Sequence, residues 1–422
     1  MRILITVDCY LPSSKSGAML IHDLGVEFRR QGHEVTILTP SDTIPVTFYV
    51  STEDGLRIVR VKSGRIKGTA KVIRAIREVR LSPSIWRCAR HFLLTNPADL
   101  ILFYSPTIFF GELVRLLKRR WGCPAYLILR DIFPQWAVDT GILRKGFIWK
   151  YFRKKEVEQY ETANRIGVQS PANVEYFVSQ FPTRRFPLEV LYNWASLDGP
   201  PLVPTNLRRR FGLQDKVIFL YGGNLGVAQD MDNIVRLAER LSSCEKAYFL
   251  LVGGGSEASR LDRIIRGKGL SNIQILPEVP HPEYLAMLTE SDVGLISLDR
   301  RLRTHNLPGK LLSYMHCAMP TLASVNAGND LREILIQNQA GFCLVNGDDD
   351  GLCSAALRLA NDPELRKRMG WNSRKLLERQ FSVKAAAAQI LMHFQPETVK
   401  PIEGAAVEVV GTLVPGASFP TE

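Results

Sequence analysis

Short apolar, β-branched runs without polar alternation recur along this chain, and stretches of helical periodicity separate them. RILITV (2–7), EVTILT (34–39), LRIVRV (56–61), DLILFY (99–104), AYLILR (125–130), RIGVQS (165–170) and LEVLYN (188–193) occupy the first half. Strands covered on both faces read this way, and their alternation with helices implies βαβ units around a parallel sheet. Composition changes at ASLDGPPLVPTN (195–206), whose three prolines and one glycine mark a linker. The alternation then restarts with VIFLYGG (217–223), YFLLVGG (248–254), IQILPE (273–278), VGLISL (293–298), PTLAS (320–324) and GFCLV (341–345). A chain of 422 residues exceeds one ordinary core. The expected fold is therefore α/β, with two Rossmann-like, doubly wound parallel-sheet domains facing across a cleft. The expected bounds are 1–194 for the first, acceptor-side domain, 195–206 for the linker and 207–370 for the second domain. A helix over 371–394 is expected to cross back to the first domain, and the tail 395–422 lacks helical periodicity.

Composition excludes several classes. Hydrophobic residues are 45% and charged residues 23%, the balance of a globular protein, and no apolar run is long enough for a transmembrane helix. The opening MRILITVDCYLP lacks the long apolar centre and cleavage site of a signal peptide and reads as a first strand. The seven cysteines (9, 88, 123, 244, 317, 343 and 353) form no CxxC pair and no zinc spacing, which fits a reducing cytoplasm. The net charge of +12 would suit nucleic acid, an anionic membrane or a phosphorylated small molecule. No zinc-finger or RRM signature accompanies it, so nucleic acid is not an expected partner.

Loops at strand ends carry the candidate chemistry. SSKSGAML (13–20) places Gly17 just before a helix, where backbone amides and the helix dipole favour phosphate; an ordinary βα turn reads the same way. YGGNLG (221–226) follows a strand and precedes a helix, with Gly226 expected in a tight turn, and LVGGGSE (251–257) repeats the pattern. Neither is the dinucleotide G-x-G-x-x-G fingerprint, because Asn224 stands at its third residue, where a glycine is required, and an NAD enzyme is disfavoured. In HNLPGKLLSYMHCAMPTLAS (305–324), Pro308 suits a first helical turn and Leu311, Leu312 and Met315 give an apolar face. Lys310 then lies in that first turn, either as a cation for a diphosphate or as a solvated surface lysine.

Taken together, these segments resemble the family-4 retaining glycosyltransferases of the GT-B fold, particularly the L-fucosamine transferases of bacterial surface-polysaccharide synthesis. The resemblance runs in order through HDLGVEFRRQGHEVTILT (22–39), LRDIFPQWAVDTGIL (129–143), VLYNWASLD (190–198), FLYGGNLGVAQDMD (219–232) and LPGKLLSYMHCAMPTLAS (307–324). It implies a hexosyltransferase acting on a nucleotide-sugar donor, UDP-linked, and a lipid-linked or saccharide acceptor, as in lipopolysaccharide assembly. By resemblance Gly17, Gly223, Asn224 and Gly309 would face the donor diphosphate, and Lys310 would neutralise the leaving nucleoside diphosphate. Asp131 would lie in the cleft near the transferred sugar, or else cap a turn. AGNDLRE (327–333) would supply Asn329, Asp330 and Leu331 to a donor-binding loop, with Glu333 at the family's acidic position or as a helix cap.

The chain departs from that family where His305 and Ser313 replace a spaced pair of glutamates, and where Val227 and Gln229 stand near the usual Arg and Lys. Phosphate neutralisation would then be shared by Lys310, Arg301 or Arg303. No Asp-x-Asp pair sits at a strand end, so no metal or other cofactor is expected. A non-catalytic nucleotide-sugar-binding protein of the same fold and a nucleotide-sugar epimerase are the alternatives. GFIWKYFRKK (146–155), within the basic stretch 144–155, suits the interface of an anionic bilayer or an amphipathic helix docking its aromatics inward. The expected location is cytoplasmic, peripheral on the inner face of the plasma membrane.

Overall fold

The computed structural model describes residues 1–13, 16–64, 77–139, 143–198, 204–302 and 307–394. The tail 395–422, part of the linker, Arg303 and His305 lie outside the described residues. The strands of the first sheet are β1 (Arg2–Thr6), β2 (Glu34–Ser41), β3 (Phe48–Glu53), β4 (Leu56–Lys62), β5 (Leu100–Tyr104), β6 (Ala125–Ile128), β7 (Arg165–Val168) and β8 (Leu188–Val190). Those of the second are β9 (Val217–Gly222), β10 (Ala247–Val252), β11 (Ile273–Leu276), β12 (Val293–Ser297), β13 (Thr321–Val325) and β14 (Gly341–Val345).

The first sheet runs in the order β3-β4-β2-β1-β5-β6-β7-β8 and the second β11-β10-β9-β12-β13-β14. Every pairing is parallel except β3 with β4. The sequence reading did not anticipate β3, an antiparallel edge strand. Its residues alternate between exposed and half-buried, so it lacks the continuous apolar signature of its neighbours. The Asp54-Gly55 turn that joins it to β4, with φ of 50° and 75°, is the hairpin signal that marks it. By contrast β5, β9 and β12 are buried along their whole length because helices cover both sheet faces.

In each sheet the order of winding reverses once. It does so between β1 and β5, and between β9 and β12, which places a crevice at the carboxyl ends of those pairs. Gly17 lies in the first turn of its helix, Ser16–Arg30, at the first crevice, and the YGGNLG loop leaves β9 at the second.

The chain crosses between the sheets twice, and the crossings are bonded to each other. After β8 the Ala195 N–H donates to Phe381 O at 2.9 Å, and the Val383 N–H donates to Ala195 O at 3.0 Å. Ser382 caps the last helix, Val383–Leu391, its hydroxyl accepting from the Ala385 N–H at 3.2 Å. That helix buries Val383, Ala386, Ala387, Ile390 and Leu391 in the first domain's core, beside Ile21, Leu24 and Phe28 of helix Ser16–Arg30. Trp194, 1% exposed, fills the corner and donates its indole N–H to Leu20 O at 2.9 Å.

Ile390→Ala, at a fully buried position of this returning helix, is expected to cost about 2–5 kcal/mol. A lowered unfolding midpoint in a thermal or urea melt monitored through Trp194 checks it.

Candidate active site

The second-domain half of the site is built on backbone packed against backbone. A Cβ on Gly253 would lie 2.0 Å from Gly223 O, and one on Gly255 would lie 2.4 Å from Leu225 O. The glycines of LVGGGSE therefore serve to seat the YGGNLG loop, and Gly223 itself sits at φ +119°. Gly226 is needed for space rather than for a left-handed turn. Its φ is −115°, a value any residue adopts, but a Cβ there would meet Asn224 Nδ2 at 2.6 Å. Gln229 closes the loop, accepting from the Asn224 side-chain amide at 3.0 Å and from the Gly226 N–H at 3.2 Å. Where the resembled family places a cation, this chain places a neutral strut.

Lys310 opens the helix Lys310–His316, one residue after Gly309 and two after Pro308, which precedes the helix rather than lying within it. The buried face is Leu311, Tyr314 and Met315, with Leu312 only half-buried. Tyr314 takes the expected place of Leu312 because a ring fits over Gly294 and its hydroxyl donates to Leu295 O at 2.9 Å. Lys310 lies against the glycine loop, with its Cε 4.0 Å from where a Gly223 Cβ would be. Its ammonium rests over the Tyr221 ring, 3.7 Å from the centroid, and Tyr221 donates to Asn224 O at 2.7 Å. Among the described residues no carboxylate lies within ion-pair distance of Lys310, and burial pushes its pKa down to about 7.

The loop 326–331 is held by its own side chains. Asn329 donates to Asn326 Oδ1 at 3.0 Å and accepts from the Leu331 N–H at 3.1 Å, and both asparagines are buried. Asp330 reaches across the cleft, its Oδ2 accepting from the Ala172 N–H at 3.2 Å, in the first turn of helix Pro171–Gln180. Glu333 is exposed on helix Leu331–Gln337, with its charge felt at Tyr192 of the first domain. Arg301 is bound to Asp299 by its backbone N–H, at 2.8 Å, and its guanidinium, at 2.5 Å, so part of its donor capacity is already engaged. Ser313 sits half-buried on the Lys310 helix.

In the first domain, Gly17 faces Tyr104 at the end of β5, where a Cβ would come within 2.9 Å of the ring. Asp131 follows β6, half-buried, and its carbonyl accepts from the Ser105 hydroxyl at 3.3 Å. Tyr104 lies in the field of Asp131 and Asp8. A cavity of about 420 Å³ opens beside this group, lined by Asp8, Tyr10, Pro12, Thr39, Asp42 and Arg60. Sequence reading passed over Arg130, a buried guanidinium that donates to the carbonyls of Leu129, Gly167 and Tyr192 and stacks on Trp194 at 5.4 Å. Burial lowers its pKa to about 10. Among the described residues no group of three or more His, Cys, Asp or Glu could hold a metal ion.

Two doubly wound domains, joined by paired crossings and presenting a glycine loop and a lysine at one switch point, define a GT-B architecture. Family models match each half: "Glycosyl transferase 4-like domain" over residues 18–194 and "Glycosyl transferases group 1" over residues 205–376. The chain is a glycosyltransferase of the GT-B type built from these two domains. It is 25% identical over 330 residues, 72% of this chain and 78% of the other, to WcaI of Escherichia coli (strain K12), a glycosyl transferase named for colanic acid biosynthesis. The glycosyltransferase WbjE of Pseudomonas aeruginosa is 24% identical over 312 residues, 72% and 75% of the two chains. Sucrose-phosphate synthase from Thermosynechococcus elongatus shares the fold with a TM-score of 0.71 at 16% identity, covering 93% of this chain and 98% of that one. Anabaena HepE, solved in complex with UDP, does so with a TM-score of 0.65 at 15% identity, covering 93% and 99%.

Gly253→Ala tests the seating of the loop. At φ +152° and 2.0 Å from Gly223 O, the added methyl must displace the YGGNLG segment. A fall of at least about tenfold in affinity for a nucleoside diphosphate is expected, measured by isothermal titration calorimetry.

Proposed function

We propose that this glycosyltransferase moves a hexosyl unit, with retention, from a UDP-linked donor to a lipid-linked or saccharide acceptor in bacterial surface-polysaccharide synthesis. The observation that carries the donor half is Lys310, a desolvated amine beside a glycine loop with a tyrosine ring as its neighbour and no carboxylate partner. A partly buried cation left without a counter-charge gains when an anion arrives. A diphosphate over Gly223 and Asn224 is such an anion. The solved relative HepE, bound to UDP and in another structure to UDP-glucose, supports the same class of donor. The polysaccharide setting is supported by the name of the Escherichia coli relative, and a fucosamine-type sugar by the sequence resemblance.

In this reading the glycosidic bond to phosphate breaks as negative charge grows on the leaving diphosphate. Lys310 and the loop amides stabilise that charge more in the transition state than before it. The acceptor hydroxyl attacks the anomeric carbon from the face the diphosphate leaves and gives its proton to the departing phosphate oxygen, with Asp131 and the first-domain cavity orienting it. Gly17, Gly309, Asn329, Asp330 and Leu331 hold or shape the donor side, and Glu333 stands at the cleft margin. The reading calls on no metal, since the cation is supplied by the chain.

The pKa has a consequence of definite sign. Between about pH 7 and the ordinary lysine value the unfolded chain holds this proton and the folded one does not, so Lys310 makes stability rise with pH there. A bound diphosphate favours the ammonium and reverses that preference. Donor affinity should therefore fall by up to about tenfold per pH unit above pH 7, and titration of UDP binding from pH 6 to 9 measures it. In Lys310→Met the slope should vanish.

Lys310→Ala is expected to lower turnover at least about 100-fold, followed as acceptor-dependent release of UDP from a panel of UDP- and GDP-sugars. Near-normal turnover would make the lysine a bystander. Isomerised donor without release would indicate an epimerase, and binding without either a non-catalytic protein.

A further inference from the structure

The helix Phe147–Thr162 is two different structures end to end. Its second half belongs to the first domain's core, with Glu156, Gln159, Tyr160 and Thr162 buried and Phe152 packed on Phe133 at 5.1 Å between ring centroids. Its first turns point outward. Phe147 is 91% exposed, Ile148 63% and Tyr151 39%, although one turn further on the chain had a core available to it. Inward docking of aromatics thus accounts for Phe152 and leaves Phe147, Ile148 and Tyr151 unexplained.

Charge divides along the same line. In the inner half Arg153 pairs with Glu156 at 2.7 Å and Lys155 with Glu158 at 2.9 Å. Around the outer turns, Arg144, Lys145 and Lys150 are exposed and, among the described residues, have no carboxylate within ion-pair distance. The two lysines lie instead against aromatic faces, Lys150 at 6.0 Å from the Phe147 centroid and Lys145 at 5.8 Å from that of Trp149. Aromatic and aliphatic side chains ringed by unpaired cations match the boundary of a bilayer, where acyl carbon lies beside anionic headgroups.

We propose that the segment 144–151 docks the protein on an anionic lipid surface, with Phe147 and Ile148 entering the acyl boundary and Arg144, Lys145 and Lys150 meeting phosphate headgroups. The occupant is a membrane rather than a second copy of this chain, because self-pairing about a two-fold axis would set these cations against their own counterparts. The topology adds an orientation. β6 and β7 are parallel neighbours joined through this helix, so its first turn lies at the carboxyl end of β6, the edge that carries Asp131. Docked this way, the cleft rim faces the bilayer, whatever sugar is transferred.

Flotation of the full chain with phosphatidylglycerol–phosphatidylcholine vesicles and with pure phosphatidylcholine vesicles tests the proposal. Binding to the anionic vesicles at low salt, weakened by raised salt and absent from the neutral ones, is expected. The double variant Phe147→Glu/Ile148→Glu should bind at least about tenfold more weakly, with an unchanged melting temperature because both side chains are exposed. Arg144→Glu/Lys145→Glu should lose binding likewise. No flotation with anionic vesicles, or equal flotation of the wild type and the double variant, would overturn the proposal. So would a concentration-dependent dimer in analytical ultracentrifugation that the double variant abolishes. UDP binding by the same variants, expected to match the wild type, separates failure here from failure of the donor site.

Discussion

The two crossings between the sheets, hydrogen-bonded to each other at Ala195 and Phe381–Val383, are the constraint on which the rest of the molecule rests. Each domain has its own cores, but the first is completed by a helix that the chain makes only after the second has been built. The cleft is bounded at its back by this pair of segments, with the Tyr192 ring 4.8 Å from that of Phe381. Two segments bonded side by side bend together more readily than they shear.

Within that frame the second domain keeps a cation in a costly place. Solvent would hold Lys310 charged to well above pH 9, whereas burial lowers its pKa to about 7. The fold accepts this penalty while spending its other nearby polar groups on one another. Gln229 goes to Asn224 and Gly226, Arg301 to Asp299, and Asn329 to Asn326 and its own loop. Lys310, by contrast, has a tyrosine ring as its neighbour and, among the described residues, no carboxylate within ion-pair distance.

The sheets were legible in the sequence because parallel strands covered on both faces appear as unbroken apolar runs, as Leu100–Tyr104 and Val217–Gly222 do. β3 escaped because it is an edge strand half in solvent, and its turn was the better signal. At the site, the glycines and Lys310 could be picked out, but not the reason for Gly253, which depends on a carbonyl thirty residues earlier in the chain. Gln229, Arg130 and the partner of Asp330 were opaque for the same cause. Gln229 looked like a missing cation until its two donors were in place, and Arg130 carries no motif. The partner of Asp330 is a backbone N–H in the other domain.

That last contact has a mechanical consequence. Helix Pro171–Gln180 begins after Ser170, whose side chain makes no capping bond to it, and an orphan amide at Ala172 is satisfied by a carboxylate from the opposite domain. A helix end worth about 0.5–2 kcal/mol is thus lent out across the cleft. Whenever the domains swing apart, the first domain loses a cap, and the loop bearing Asn329 and Leu331 loses an anchor. Among the described residues this one carboxylate oxygen thus ties the first turn of helix Pro171–Gln180 to the loop bearing Asn329, a contact light enough to be made and broken as the cleft closes and opens.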